Sequence, residues 1–163
     1  PIGPYDIQKL VEYRNISKWV KISTPSIYKK AIQLEQKGLI KGSIVKEGKM
    51  PEKVIYSLTE AGEKAFEKLM FDISSEPIHI FLDFNAVIVN LDSLTTEKKK
   101  MCIDSIEKKI KELKSYLEQN IREKENMPEI PATGMAVLQQ QFVLVEAIET
   151  WIDSVKQCLN GNE

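Results

Sequence analysis

The 163-residue chain is poor in the residues that carry most chemistry: it has two cysteines, one histidine and 7% aromatic side chains. Cys102 and Cys158 have no partner at CxxC or CxxH spacing, which excludes the usual zinc ligand sets and a disulfide framework. Both are expected reduced and buried in helices. His79 lies in the apolar stretch IHIFLDF, with no further residues to complete a triad or a facial metal site, and reads as a structural histidine. No GxxxxGK(S/T), GxGxxG or GxSxG occurs, so there is no candidate phosphate cradle or nucleophile elbow. No apolar run approaches the roughly 18 residues that cross a bilayer. No leader-like segment marks the chain for export, and a cytoplasmic location is the expectation. Carboxylates are plentiful but stand among lysines at helical spacing, as in EKKIKELKSYLEQ, which suits solvated helix faces. The reading is of a non-enzyme with no metal, no cofactor and no membrane partner.

What the chain does have is 42% hydrophobic and 29% charged residues, enough for one or two small domains with their own cores. The formal net charge of −1 conceals an asymmetry. Residues 1–72 carry 13 basic and 9 acidic side chains, whereas residues 73–163 carry 10 and 15. Residues 1–53 alone hold an excess of six positive charges. A basic front and an acidic remainder point to a polyanion-binding part followed by a different one.

The front half reads as helix, helix, hairpin, helix. In YDIQKLVEYR, residues 5–14, Ile7, Leu10 and Val11 share one helical face, and Asn15 closes the segment. Ser23, Thr24 and Pro25 then supply capping side chains and a proline at a helix start. This helix runs to Lys37 and stops at Gly38, whose left-handed conformation folds Leu39 back on Leu34. Ile27, Ala31 and Leu34 fall within a narrow arc facing the core, which turns Ser26, Lys29, Gln33 and Gln36 outward. Residues 43–46 and 53–58 read as strands joined by the polar turn EGKMPE. Thr59 caps a further helix with Ala61, Ala65, Phe66 and Leu69 on its apolar face. Such an order makes a winged helix-turn-helix. Its second helix fits a DNA major groove, and its basic hairpin reaches neighbouring phosphates.

The run TPSIYKKAIQLEQKGLI, followed by a hairpin ending in YSLTEAGEKAF, resembles the PadR-type winged-helix transcriptional regulators. The matching residues are Ser23, Thr24, Ile27-Tyr28, Leu34-Glu35, Gly38-Leu39-Ile40 and Leu58-Thr59-Glu60-Ala61-Gly62, in the family's order and spacing. GPYDIQKL, residues 3–10, is similar to the start of that family's second helix, so the likeness covers about residues 3–70. Family members begin with a hydrophobic first helix, whereas this chain opens at Pro1-Ile2-Gly3; the expectation is that leading residues are absent.

In the second half, Ser74-Ser75-Glu76-Pro77 reads as a helix start and the following IHIFLDFNAVIVNLDSL as a helix apolar nearly all round, with Phe81, Phe84, Val87, Ile88 and Leu91 available for packing. Thr95-Thr96-Glu97 opens a long helix with Cys102, Ile106, Ile110, Leu113, Leu117 and Ile121 as its stripe. Met127-Pro128 and Ile130-Pro131 end it, and Thr133-Gly134 turns the chain into a last helix from about Met135 to Leu159. That helix carries two apolar faces. Leu138, Phe142, Val145, Ile152, Val155 and Leu159 form one, and Val137, Leu144, Ile148 and Trp151 the other.

Two apolar faces need cover on both sides, and pairing of two chains supplies it, with an intramolecular core as the alternative. The resemblance also implies pairing through a C-terminal helical region. The expected architecture is therefore mainly α with a small β-hairpin wing: a winged helix-turn-helix over residues 1–72 and a helical dimerisation region over residues 73–163. Dimer contacts are assigned to Leu138, Phe142, Val145, Ile148, Trp151, Ile152 and Val155. A homodimer would set two reading helices about one 34 Å turn apart, over a palindromic operator in double-stranded DNA.

Ser26, Lys29 and Gln33 are the expected groove contacts, since Gln can pair bidentately with adenine. Ser23, Thr24, Tyr28 and Lys30, with Lys46, Lys49 and Lys53 on the wing, are the expected phosphate contacts. Tyr28 equally suits packing on the first helix, and the wing lysines suit protection of an edge strand. The resemblance further implies a small aromatic effector between the winged helix and the C-terminal helices, with Trp19, Phe81, Phe84 and Trp151 as lining; such aromatics also suit plain core. The expected function is a dimeric sequence-specific DNA-binding regulator, a repressor. The alternative is a winged-helix protein-interaction module without DNA binding.

Overall fold

The computed structural model describes residues 1–18, 20, 26–46, 48 and 52–160. The chain divides into two compact units, Pro1–His79 and Ile80–Glu163. The expected cap at Ser23, Thr24 and Pro25, together with Trp19 and Lys49, lies outside the described residues.

The first unit opens with helix α1, Pro4–Tyr13, which carries proline in its first turn and Asp6 near its positive end. Val11 is its buried residue, Ile7 is half-buried, and Leu10 is more exposed than expected. Asn15, at φ 52°, ends the segment in the left-handed conformation that asparagine tolerates best among side-chain-bearing residues. Helix α2, Ser26–Gln36, buries Ile27 and Ala31. Leu34, expected beside them, remains 38% exposed. The end of α2 follows the expectation closely. Gly38 sits at φ 70°, its N–H donates to Glu35 O at 2.8 Å, and Leu39 N–H donates to Leu34 O at 2.9 Å. These are the paired bonds of a Schellman cap.

Strand β1, Ile40–Val45, pairs antiparallel with β2, Lys53–Leu58, in the register Ile40↔Leu58 to Val45↔Lys53. β1 starts three residues before the expected Ser43. The reason is that Thr59 N–H donates to Leu39 O at 3.1 Å, so pairing begins directly at the helix cap. On the other edge of β2, Ile2 and Tyr56 exchange both backbone bonds at 3.0 Å.

Helix α3, Glu60–Ser74, is capped by Thr59, whose Oγ1 accepts from Gly62 N–H at 3.1 Å. Gly62 is buried. A Cβ there would lie 1.9 Å from Leu39 O and 2.9 Å from Leu39 C, so only glycine lets the first turn of α3 reach the α2–β1 corner. The expected apolar face of α3 is largely uncovered in this unit: Phe66 is 57% and Leu69 54% exposed.

Ser74 and Ser75 end α3 and start nothing. Their hydroxyls donate back to Phe71 O at 2.9 and 3.0 Å, and Pro77, just past the C-cap, cannot extend the helix. The long apolar helix expected after Pro77 is absent among the described residues. Residues 77–82 are irregular, Ile78 and Phe81 are strongly exposed, and His79 is exposed too, contrary to a core role. In its place stand the four-residue α4, Asn85–Ile88, and a 3-10 turn, Leu91–Ser93. Ile78, Ile80, Val87, Ile88 and Val89 are β-branched and restricted at χ1 in a helix, and Asn90 Nδ2 closes α4 by donating to Ala86 O at 2.7 Å.

The second unit is built on two 29-residue helices, α5, Thr96–Lys124, and α6, Ala132–Asn160. α6 begins before the expected Met135, because Gly134 N–H donates to Pro131 O at 2.9 Å and Thr133-Gly134 forms its first turn. The buried seam is Ile103, Ile110 and Leu117 from α5 with Val145 and Ile152 from α6, joined by Leu91. Seven-residue spacing on both helices is the mark of a long, coiled-coil-like contact. The expected stripe holds at Ile110 and Leu117, with Cys102 and Ile106 packed against the core; it departs where Ile103 takes the buried position beside Cys102 and where Leu113 is 48% exposed. Cys158 is exposed and Cys102 half-buried, so burial of both fails.

Ion pairs set the antiparallel register. Lys114 bonds Glu149 at 2.7 Å, and Lys156 bonds Glu107 at 2.6 Å. Glu107 also accepts from Lys111 at 2.6 Å, and the Lys111 bond, then the Lys156 bond, hold its carboxyl below the ordinary 4.5.

Gly62→Ala should lower the unfolding free energy by about 3 kcal/mol through overpacking; an unchanged urea midpoint would contradict the close approach. A depressed folded-state pKa at Glu107 stabilises above the unfolded 4.5 and is lost as pH falls through the folded value. Glu107→Gln should therefore lower the thermal midpoint at neutral pH, with the gap to wild type closing below 4.5. A gap independent of pH, followed by circular dichroism, would be inconsistent with that.

Candidate nucleic-acid interface

α2 presents its interface through the residues its buried pair turns away from the core. With Ile27 and Ala31 inward, Tyr28, Lys29 and Lys30 are exposed, and Ser26 and Gln33 are half-buried. Tyr28 is 47% exposed, so its phenol is open to solvent. Lys46 and Lys53 are exposed at the turn end of the hairpin. Lys46 stands 3.8 Å from Glu52, an exposed pair too weak to withhold the lysine from a phosphate. Ser23, Thr24 and Lys49 lie outside the described residues.

The helix and the hairpin are joined at their bases by two sets of bonds. Thr59 Oγ1, at the end of β2, donates to Gly38 O at 2.7 Å. Glu35, in the last turn of α2, accepts from Gly42 N–H on β1 at 2.8 Å, and its carboxylate and the Tyr56 ring on β2 both lie beside Gly42. Gly42 and Tyr56 face each other in the sheet. The phenol is held above its ordinary 10.0, first by burial, then by the charge of Glu35. The sequence reading missed this role of Glu35. The signal for it is the Leu34-Glu35 pair, which carries part of the resemblance.

The other predicted site residues separate. Val145 and Ile152 are closed inside the α5–α6 core, and Leu138, Phe142, Ile148 and Val155 pack against it. Val145 and Ile152 thus have no surface to offer a second chain, which corrects their assignment as dimer contacts; α5 covers the face they stand on. On the rest of α6, Val143, Leu144 and Trp151 retain exposed surface. Among the predicted effector residues, Phe84 and Trp151 come together, their rings stacked at 5.8 Å between centroids and 23° between planes. Phe81 is 85% exposed, and Trp19 lies outside the described residues. Among the described residues no cluster of His, Cys, Asp or Glu suits a metal ion, and no helix is long and apolar enough to cross a membrane.

Residues 6–75 match the winged helix DNA-binding domain family. The first unit has the fold of a winged helix. No curated protein matches the sequence. Solved structures match nearly the whole chain. Bacillus subtilis PadR in complex with operator DNA superposes with a TM-score of 0.80 at 19% identity, covering 97% of this chain and 91% of that one. The same protein in complex with p-coumaric acid gives 0.77 at 21%, covering 98% and 90%. The PadR-like transcriptional regulator BC1756 from Bacillus cereus gives 0.70 at 19%, covering 99% and 92%. The chain shares the fold of these solved proteins, a winged helix with a hairpin wing followed by long helices.

Proposed function

We propose that this protein is a dimeric, sequence-specific transcriptional regulator of the cytoplasm, a repressor that occupies an operator and has no catalytic activity. The observation that carries the reading is the outer face of α2, where Tyr28, Lys29 and Lys30 stand exposed on a fold shared with a PadR solved on its operator. Lys29, Gln33 and Ser26 read base edges, with Gln33 suited to adenine. Ser23, Thr24, Tyr28 and Lys30, with Lys46, Lys49 and Lys53 of the wing, hold phosphates and set the register.

Dimerisation is supported by the apolar surface left on α6 at Leu144 and Trp151, which is awkward for a lone chain. The winged helix, taken as residues 1–72, does the reading, and residues 73–163 do the pairing. A small aromatic effector is supported by the Phe84–Trp151 stack and by the relative solved with p-coumaric acid. Ile32, 53% exposed on α2, favours the second reading, a module that binds another protein.

Binding to duplex DNA across a salt series separates the two. A regulator loses roughly a thousandfold or more in affinity between about 50 and 200 mM salt, through counterion release, whereas flat dependence favours the protein-binding module. Lys29→Ala and Gln33→Ala should each cost about 1–3 kcal/mol on the preferred duplex and relax its preference. Lys49→Ala should weaken all duplexes alike and reduce the salt slope by about one. Equal effects of all three on every duplex would refute these roles. Sedimentation of the complex should give two chains per palindrome, and p-coumaric acid should release the duplex.

A further inference from the structure

The bonds at the base of the wing do more than hold the sheet together. Glu35 is the last-turn residue of α2 that crosses to the hairpin, with Gly42 N–H at 2.8 Å and the Tyr56 ring beside the same glycine. Gly42 and Tyr56 form the third rung from the base of the hairpin at Ile40↔Leu58; Val45↔Lys53, next to the turn, is the sixth. From Gly42 to Lys46 the strand extends roughly 13 Å, at about 3.3 Å per residue. A rotation of about 10° at Gly42 would thus carry the wing lysines by roughly 2 Å, enough to break a charge-assisted bond of about 2.8 Å to a phosphate. Thr59 fastens the base of the hairpin, at Gly38 and Leu39, and the Ile2 bonds hold β2 at Tyr56, whereas on β1 Glu35 supplies the bond from α2 at Gly42.

We propose that Glu35 is the positioning residue of the wing: by joining α2 to Gly42, it sets where Lys46 and Lys53 stand relative to a duplex held by α2. The inference rests on the DNA-binding reading above. It also gives an acidic residue on a basic DNA-facing unit a reason to be there. Its charge is spent on the hairpin and lies opposite the Gly42 N–H.

The test compares Glu35→Gln with Glu35→Ala in the full chain. The two variants carry the same charge, so any difference between them reports the hydrogen-bond acceptor and not a change in attraction to DNA. Each is combined with Lys53→Ala and titrated with one duplex across a salt series. In the Gln background Lys53→Ala should lower the salt slope by about one; in the Ala background it should change the slope little, because the lysine no longer meets its phosphate. Lys29→Ala should cost the same in both. Exchange of the Gly42 amide should be roughly fivefold to tenfold faster in the Ala variant than in the Gln variant.

An undiminished contribution of Lys53 in the Ala background overturns the proposal. Should Glu35→Ala fail to unfold cooperatively, Glu35→Asp against wild type takes its place. It keeps the charge and withdraws the carboxylate by one methylene, and it should remove the Lys53 contribution in the same way. Failure of the wild-type chain to bind any duplex would instead sink the regulator reading itself.

Discussion

The corner at Gly38 is the constraint on which the first unit depends. Where α2 ends, the left-handed backbone of one glycine reverses the chain, and the two carbonyls beside it become the seats of later elements. Gly38 O receives the Thr59 hydroxyl, and Leu39 O receives the Thr59 amide. The same Leu39 carbonyl leaves no room for a side chain at Gly62. One turn therefore determines the end of a helix, the first rung of the sheet and the seat of the next helix. Because the bonds are to backbone atoms, they fix direction as well as contact.

The second unit is organised by a different device. Its core is a narrow seam at seven-residue intervals, and a seam of that kind resists sliding only weakly, since each step of one heptad restores apolar contact. Charges remove the ambiguity. Lys114 reaches Glu149, with Glu146 at 3.5 Å, while Lys156 reaches Glu107, with Asp104 at 3.7 Å. These two lysines lie on opposite helices and satisfy their partners together in one register. Individually such partly exposed pairs contribute little stability; their value here is alignment.

Much of the winged helix was legible from residues alone because its signals are local. Asparagine and glycine at helix ends and threonine before α3 act within a turn of their own position, and the elements appear where they point. The long helix after Pro77 was misread for a related reason. Apolar composition does not specify helicity, and β-branched side chains with the back-bonding Asn90 reduce the segment to the single turn of α4 and the 3-10 turn Leu91–Ser93. On α5 the predicted stripe runs through the buried Ile110 and Leu117 and departs from the core only at single positions, because spacings of 3.5 and 3.6 residues separate only over several turns. Ile103 and Leu113 are where the two readings part.

The candidate interface divides in the same way. That Lys29 and Lys30 face outward follows from the helical spacing of Ile27 and Ala31, a property of one segment. The function of Glu35 does not: its partner Gly42 and its neighbour Tyr56 are 7 and 21 residues away, and only folding of the hairpin brings them to it. Likewise, nothing local in α6 distinguishes Val145 from Leu144. α5 covers the first and leaves the second exposed. The sequence by itself determined where helices begin and end and which side chains share a face, because caps and periodicity act over a few residues. Tertiary structure alone decided which faces are covered and which polar groups meet, because burial and hydrogen bonding between elements depend on neighbours the chain supplies from a distance.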